Sequence, residues 1–225
     1  MDENQIRRFY PVRGSVGNVR RGNYWEGYSP KLGRRVQLFS SLERAHWVLV
    51  ESTPEISIFC EQPMVLVVRS AGGDVRSIPD MWVRHRDGHE ELREVKTSEE
   101  LVKGGGRAQR QIQTQQRWCQ GEGMSHRVIT SEDMQRDRIR IANWQFALGY
   151  LSPNVIDSPE LSERLLHHLR IEGTKRFRAL QADFEDFSVG QIRREVFELL
   201  RAGALHSDLD IKPFTLETVV WAAKV

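Results

Sequence analysis

Cysteine is nearly absent from this chain: Cys60 and Cys119 are the only two in 225 residues. They make no metal-ligand spacing and no disulfide framework, so a reducing compartment is expected. No apolar run approaches the ~20 residues that a bilayer-spanning helix needs. The start, MDENQIRRFY, is not a signal peptide. There is no internal repeat and no low-complexity tract. Lys103-Gly104-Gly105-Gly106-Arg107 lacks the Gly-Lys-Ser/Thr ending of a phosphate loop, which argues against ATP binding. The histidines, His167-His168 included, lack ligand spacing, and the tryptophans are scattered as packing residues are.

What is present is ordinary in amount and uneven in place. Hydrophobic content is 39% and charged content 28%, as in a soluble globular protein long enough for a sizeable core. The formal charge is only +2. Yet Arg7, Arg8, Arg13, Arg20, Arg21, Lys31, Arg34 and Arg35 outnumber the early acids Asp2, Glu3 and Glu26, while the C-terminal end leans acidic. A basic arm beside a neutral body suits a polyanionic partner, although a solvated tail has the same charge.

Glycines and prolines make residues 1–36 an extended arm, with a short strand near Arg35–Phe39. Ser40 or Ser41 caps a helix that Thr53-Pro54 ends. Ile56–Cys60 and Met64–Arg69 read as strands, with a turn at Gly72-Gly73-Asp74. Asp80–His85 and Glu90–Lys96 form a hairpin across Arg86-Asp87-Gly88-His89. Residues 107–120 are helix-prone, His126–Thr130 is a strand, and a helix runs from Ser131 to about Gly149. Strands flanked by helices give a mixed α/β domain over 37–150. Beyond Pro153 and Ser158-Pro159, leucines repeat helically twice, and Gly203 closes the second helix. Strands over Ala204–Ile211 and Phe214–Ala222 then suggest a small winged-helix domain over 151–225.

The chemistry concentrates in Ile78-Pro79-Asp80 and Glu94-Val95-Lys96. An acid after proline, then Glu-x-Lys a hairpin later, is the spacing of metal-dependent nucleases. Alternation puts Glu94 and Lys96 on one strand face and Val95 on the other. The turn decides where Asp80 points. A two-residue Asp87-Gly88 turn pairs Asp80 with Val95. A three-residue loop with Gly88 left-handed pairs His85 with His89, and so Asp80 with Glu94. The second register is expected, with the two Cβ atoms about 4.5–5.5 Å apart. Two carboxylates that close repel, and a divalent cation resolves the conflict; oxygen ligands favour Mg²⁺ or Mn²⁺. Lys96 would orient the nucleophile or stabilise the phosphorane. The plain alternative is a surface hairpin with an ion pair. Glu43 is a further acid, which as part of Ser40-x-x-Glu43 also reads as a capping box. Gln109, Gln111, Gln113, Gln115 and Gln116 read as a solvated helix face.

Taken in order, Ser41-Leu42-Glu43, Glu61-Gln62-Pro63, Pro79-Asp80 and Glu94-Val95-Lys96 resemble the TnsA endonuclease family, over residues from about 36 to 130. The resemblance implies a restriction-endonuclease-like (PD-(D/E)xK) fold and Mg²⁺-dependent hydrolysis of the 5′ strand at transposon ends. It implies Glu43, Asp80, Glu94 and Lys96 as catalytic residues, with Glu43, Asp80, Glu94 and the Val95 carbonyl as metal ligands. It implies DNA, a TnsB-like transposase and a TnsC-like ATPase as partners, no membrane, and a place in the bacterial cytoplasm with the nucleoid. The alternatives are a non-catalytic DNA-binding or assembly subunit on a nuclease fold, or a stand-alone repair or restriction nuclease.

Overall fold

The computed structural model describes residues 10–12, 24–70, 73–103, 106–154 and 156–224. The chain divides into two compact units, one drawn from Met1–Val50 and Glu55–Arg136, the other from Glu51–Pro54 and Asp137–Val225. Among the described residues no helix is long and apolar enough to cross a membrane.

The first unit has an antiparallel hairpin, β1 (Trp25–Ser29) and β2 (Arg34–Leu38), where the sequence suggests one strand in an arm. Gly27 obscures the pattern of β1 but is needed there: a Cβ would lie 2.6 Å from Cη2 of Trp47. The arm cations Arg7, Arg8, Arg13, Arg20 and Arg21 lie outside the described residues. Two later ones serve the fold. Lys31 donates to the Ile56 carbonyl at 2.6 Å, and Arg34 pairs with Glu61.

Helix α1 (Ser41–Ser52) starts at Ser40, whose Oγ accepts the Glu43 N–H at 3.0 Å. The main sheet has the order β3 (Ile56–Glu61), β6 (Met81–His85), β7 (Glu90–Lys96), β8 (Ser125–Thr130). β6 runs antiparallel to β3 and β7, while β8 is parallel to β7, so the sheet is mixed. Between β3 and β6 in sequence lies a hairpin of β4 (Leu66–Ser70) and β5 (Gly73–Ser77). The parallel crossover carries α2 (Ser98–Lys103) and α3 (Arg107–Glu122).

Helix α3 covers one sheet face. Its Cys119 joins Cys60, Leu66, Trp82 and Leu92 in a buried cluster. Burial pushes the Cys60 thiol up to about 12 and that of Cys119 to about 11, so both are inert packing groups.

On the other face α1 presents His46, which is 2% exposed, to Arg93 of β7. Arginine only donates, so His46 Nε2 accepts from Arg93 Nη1 at 3.4 Å. The ring proton then sits on Nδ1, which has no partner among the described residues. Burial, then Arg93 and Arg127, hold His46 well below its ordinary 6.5. It is neutral when folded and takes up a proton on unfolding. Its contribution is therefore complete above pH ~6.5 and shrinks below it, by about 1.4 kcal/mol per pH unit until the folded pKa is reached. Thermal unfolding followed from pH ~7.5 down to ~5 should show a steep loss in the wild type. His46→Gln, which still accepts from Arg93, should flatten it. The same slope in both proteins would contradict a buried neutral His46.

The helix expected from Ser131 to Gly149 is two, α4 (Ser131–Arg136) and α5 (Arg138–Tyr150), broken at Asp137 with φ −90° and ψ 14°. The second unit continues with α6 (Pro159–Glu172), β9 (Lys175–Arg176), α7 (Phe177–Asp183), α8 (Val189–Ala202), β10 (Leu205–Ser207) and β11 (Val219–Ala222). Its antiparallel sheet has the order β10-β11-β9. Ser188 and Gln191 form a capping box on α8, and Gly203 ends it at φ 78°. The terminal strands are shorter than the sequence suggests. The intervening segment turns instead, with Asp208 accepting the Val219 N–H at 3.1 Å and Phe214 packing against Phe177 and Phe197.

Candidate active site

The β6–β7 turn sets the site. Gly88 is left-handed at φ 88°, its N–H donates to the His85 carbonyl at 3.1 Å, and the His85 N–H donates to the His89 carbonyl at 2.8 Å. Met81 then lies opposite Arg93, and Trp82 opposite Leu92. One residue further, Asp80 comes opposite Glu94, which is the register the three-residue loop demands.

Asp80 stands where β6 ends. Its Oδ2 accepts the Val95 N–H at 2.7 Å, so a carboxylate caps the edge of β7 where the strand ladder stops. Its carbonyl accepts the Gln62 N–H at 2.9 Å. Gln62 is buried and left-handed at φ 40°, an unfavourable backbone for a residue other than glycine. Strain of this kind costs about 1–3 kcal/mol and sits here beside an acidic group.

Glu94 is fully buried. Its Oε1 accepts from Lys96 Nζ and from Gln111 Nε2, the latter at 2.6 Å, and its Oε2 accepts from Gln115 Nε2 at 2.6 Å. Lys96 Nζ also lies 3.4 Å from the Val95 carbonyl oxygen. Burial pulls the Lys96 pKa down, but Glu94 and Asp80 outweigh it and hold the amine above its usual value, as a cation. The Asp80 pKa is raised as well, which for an acid disfavours the charge: burial, then Glu94 and Glu43, lift it well above 3.8 against the pull of Lys96 and the Val95 amide.

Glu43 does two things. Its Oε2 accepts the Phe39 N–H at 3.0 Å, one residue before the amide a capping box would use. It also senses the cluster. Burial raises its pKa, the Phe39 amide, Ser40 and Lys96 lower it, and Glu94 raises it, with a net rise. Cap and site neighbour are thus the same residue.

Two glutamines were expected on a solvated helix face and are not there. Gln111 and Gln115 are four residues apart on α3, hence on one side of it, and both turn in to Glu94. Gln115 is fully buried. Its amide also donates to Ser77 Oγ at 2.9 Å, and its Oε1 meets His126 Nε2 at 2.8 Å. Gln109 and Gln116 stay exposed.

The donor set suits a hard divalent cation: carboxylates of Glu43, Asp80 and Glu94, the Val95 carbonyl, and more negative than positive charge. Among the described residues no three acidic, histidine or cysteine side chains already converge on an ion position. The Lys96 ammonium occupies Glu94 instead.

Residues 53–131 match the family model described as TnsA-like endonuclease N terminal. The matched stretch contains Asp80, Glu94, Val95, Lys96, Gln111, Gln115 and His126, and begins after Glu43. No curated protein matches the chain.

Proposed function

We propose, from the match of residues 53–131 to the TnsA-like endonuclease N-terminal model, that this chain cuts the 5′ strand at transposon ends. It uses Mg²⁺ or Mn²⁺ and acts with a TnsB-like transposase and a TnsC-like ATPase, at the nucleoid of a bacterial cell. The observation that carries this reading is Asp80 set across from Glu94 beside a cationic Lys96. A divalent cation, when bound, supplies a Lewis acid for the scissile phosphate and lowers the pKa of a water. Asp80, Glu94, Glu43 and the Val95 carbonyl are the residues that would hold it. Asp80 Oδ2 already accepts the Val95 N–H at 2.7 Å and Glu43 Oε2 the Phe39 N–H at 3.0 Å, so both carboxylates are held in place by the backbone. Lys96 offers an ammonium to the non-bridging phosphate oxygens or to the attacking water.

The second unit is read as a winged helix. Its run of α6, β9, α7, α8, β10 and β11, with the sheet order β10-β11-β9, supports this. The helix that reads DNA in helix-turn-helix domains corresponds to α8. Its arginines are engaged: Arg193 donates to Tyr150 Oη at 2.7 Å, Arg194 to the Tyr150 carbonyl at 3.2 Å, and Arg201 to Glu198 Oε2 at 2.9 Å. Cations held in this way favour a protein partner, the ATPase, over a phosphate backbone.

The test is cleavage of end-labelled transposon-end DNA with Mg²⁺, with and without the partner transposase. Nicks on the 5′ strand that need metal and are strengthened by the transposase are expected. Full activity in chelator, or cutting confined to the other strand, would refute the assignment.

A further inference from the structure

We infer that Gln115 and His126 form a positioning device for Glu94, which fixes the carboxylate and leaves one place on its Oε2 for a cation. The inference rests on the metal-dependent reading above.

A carboxylate has about four acceptor sites, two on each oxygen. Lys96 and Gln111 fill those on Glu94 Oε1, and Gln115 fills one on Oε2. Among the described residues, what remains is a single site on Oε2, held in direction by Gln115.

Gln115 can do this only if its amide points the right way. Its two ends are nearly the same shape, and the reversed amide would set an oxygen against the Glu94 carboxylate. The surroundings forbid the reversal. The second N–H of Gln115 is taken by Ser77 Oγ at 2.9 Å. Its Oε1 faces His126 Nε2 at 2.8 Å, and that nitrogen must carry a proton to donate. Glu94 Oε2 can only accept, so Gln115 must turn its N–H to it and its Oε1 to His126, whose Nε2 therefore carries the ring proton. A reversed Gln115 would then place N–H against N–H at one end and oxygen against oxygen at the other. His126 lies on β8 opposite Leu92 of β7, so the relay runs from one strand through α3 to its neighbour.

Partners of this kind hold a ligand's direction, and losing one typically weakens metal affinity about 10- to 100-fold. The experiment measures Mn²⁺ binding to the full chain by the electron paramagnetic resonance of free Mn²⁺, alongside metal-free thermal unfolding. His126→Phe keeps a ring but removes the donor. His126→Gln restores an N–H to Gln115. Gln115→Met keeps the bulk and removes the amide. Expected is about tenfold or greater weakening in His126→Phe and Gln115→Met, with His126→Gln close to wild type. Equal weakening in both His126 variants would make the residue a packing group and overturn the inference. So would unchanged affinity in His126→Phe. If Gln115→Met does not fold, the His126 pair decides alone. Wild-type protein that takes up no Mn²⁺ removes the metal reading and this inference with it. Wild type and variants that bind alike remove only the inference.

Discussion

Asp80→Asn should abolish metal-dependent cleavage, by about 10³-fold or more, and yet melt at a higher temperature than the wild type in the absence of metal. The two effects have one cause. Asp80 feels the charges of Glu94 and Glu43, and its charged form is disfavoured by burial and by both of them. Asparagine keeps an oxygen for the Val95 N–H, which Asp80 now holds at 2.7 Å, and removes the repulsion. Each pKa unit of such disfavour is worth about 1.4 kcal/mol, so a rise of a few degrees in Tm is expected. On the proposed metal-dependent reading, cleavage is lost because asparagine no longer offers a charged ligand. Lys96→Met should fail in cleavage equally but melt lower, because the buried Glu94 then loses its cation and keeps only the two glutamine amides. Added Mn²⁺ should raise the Tm of the wild type and leave Asp80→Asn unmoved. An Asp80→Asn protein that still cuts at the wild-type rate removes Asp80 from the chemistry. One that melts lower without metal removes the electrostatic account of the site.

The Asp80–Glu94 juxtaposition was readable because two strict rules meet there. Strand alternation fixes the face of Glu94 and Lys96, and the Gly88 turn fixes what lies opposite. Glu43 was legible as a first-turn acid beside the cap, but its carboxylate takes the Phe39 N–H and not the N-cap amide that a capping box uses. Gln111 and Gln115 were missed because a helix rich in glutamine has no apolar stripe strong enough to show which side is covered. A weak signal did exist. Cys119 lies one further step of four along the same face, and it packs on Leu92, two residues before Glu94. The short elements β1, β5, α2 and α7 escaped for a related reason: each is five to seven residues long, so too few positions repeat to establish a period. Charge was the least informative guide. Lys31 and Arg34 counted towards a basic arm, but their partners lie well over twenty residues away along the chain and could only be seen in the fold.

Arg34 is the case with the largest consequence for stability. Glu61 is 1% exposed and is held by two parallel bonds of 2.7 Å from the Arg34 guanidinium. Such a pair adds little over an apolar contact, but removing one member strands a buried charge, at a cost of about 3–5 kcal/mol. That is a large part of the roughly 5–15 kcal/mol that holds a domain folded. Arg34→Met should therefore lower Tm by roughly 10 °C or more. Glu61→Gln placed in the same chain should recover much of it, since no charge is then left unpaired. The site should suffer as well. Glu61 leads directly into Gln62, whose N–H holds the Asp80 carbonyl at 2.9 Å. A loosened Glu61 would free the chain that sets Asp80 opposite Glu94, so cleavage should fall in Arg34→Met below the unfolding temperature and return in the double variant. A single variant that melts within about a degree of wild type would mean that water, not Arg34, satisfies Glu61. The path from β2 to the acidic pair would then carry no weight.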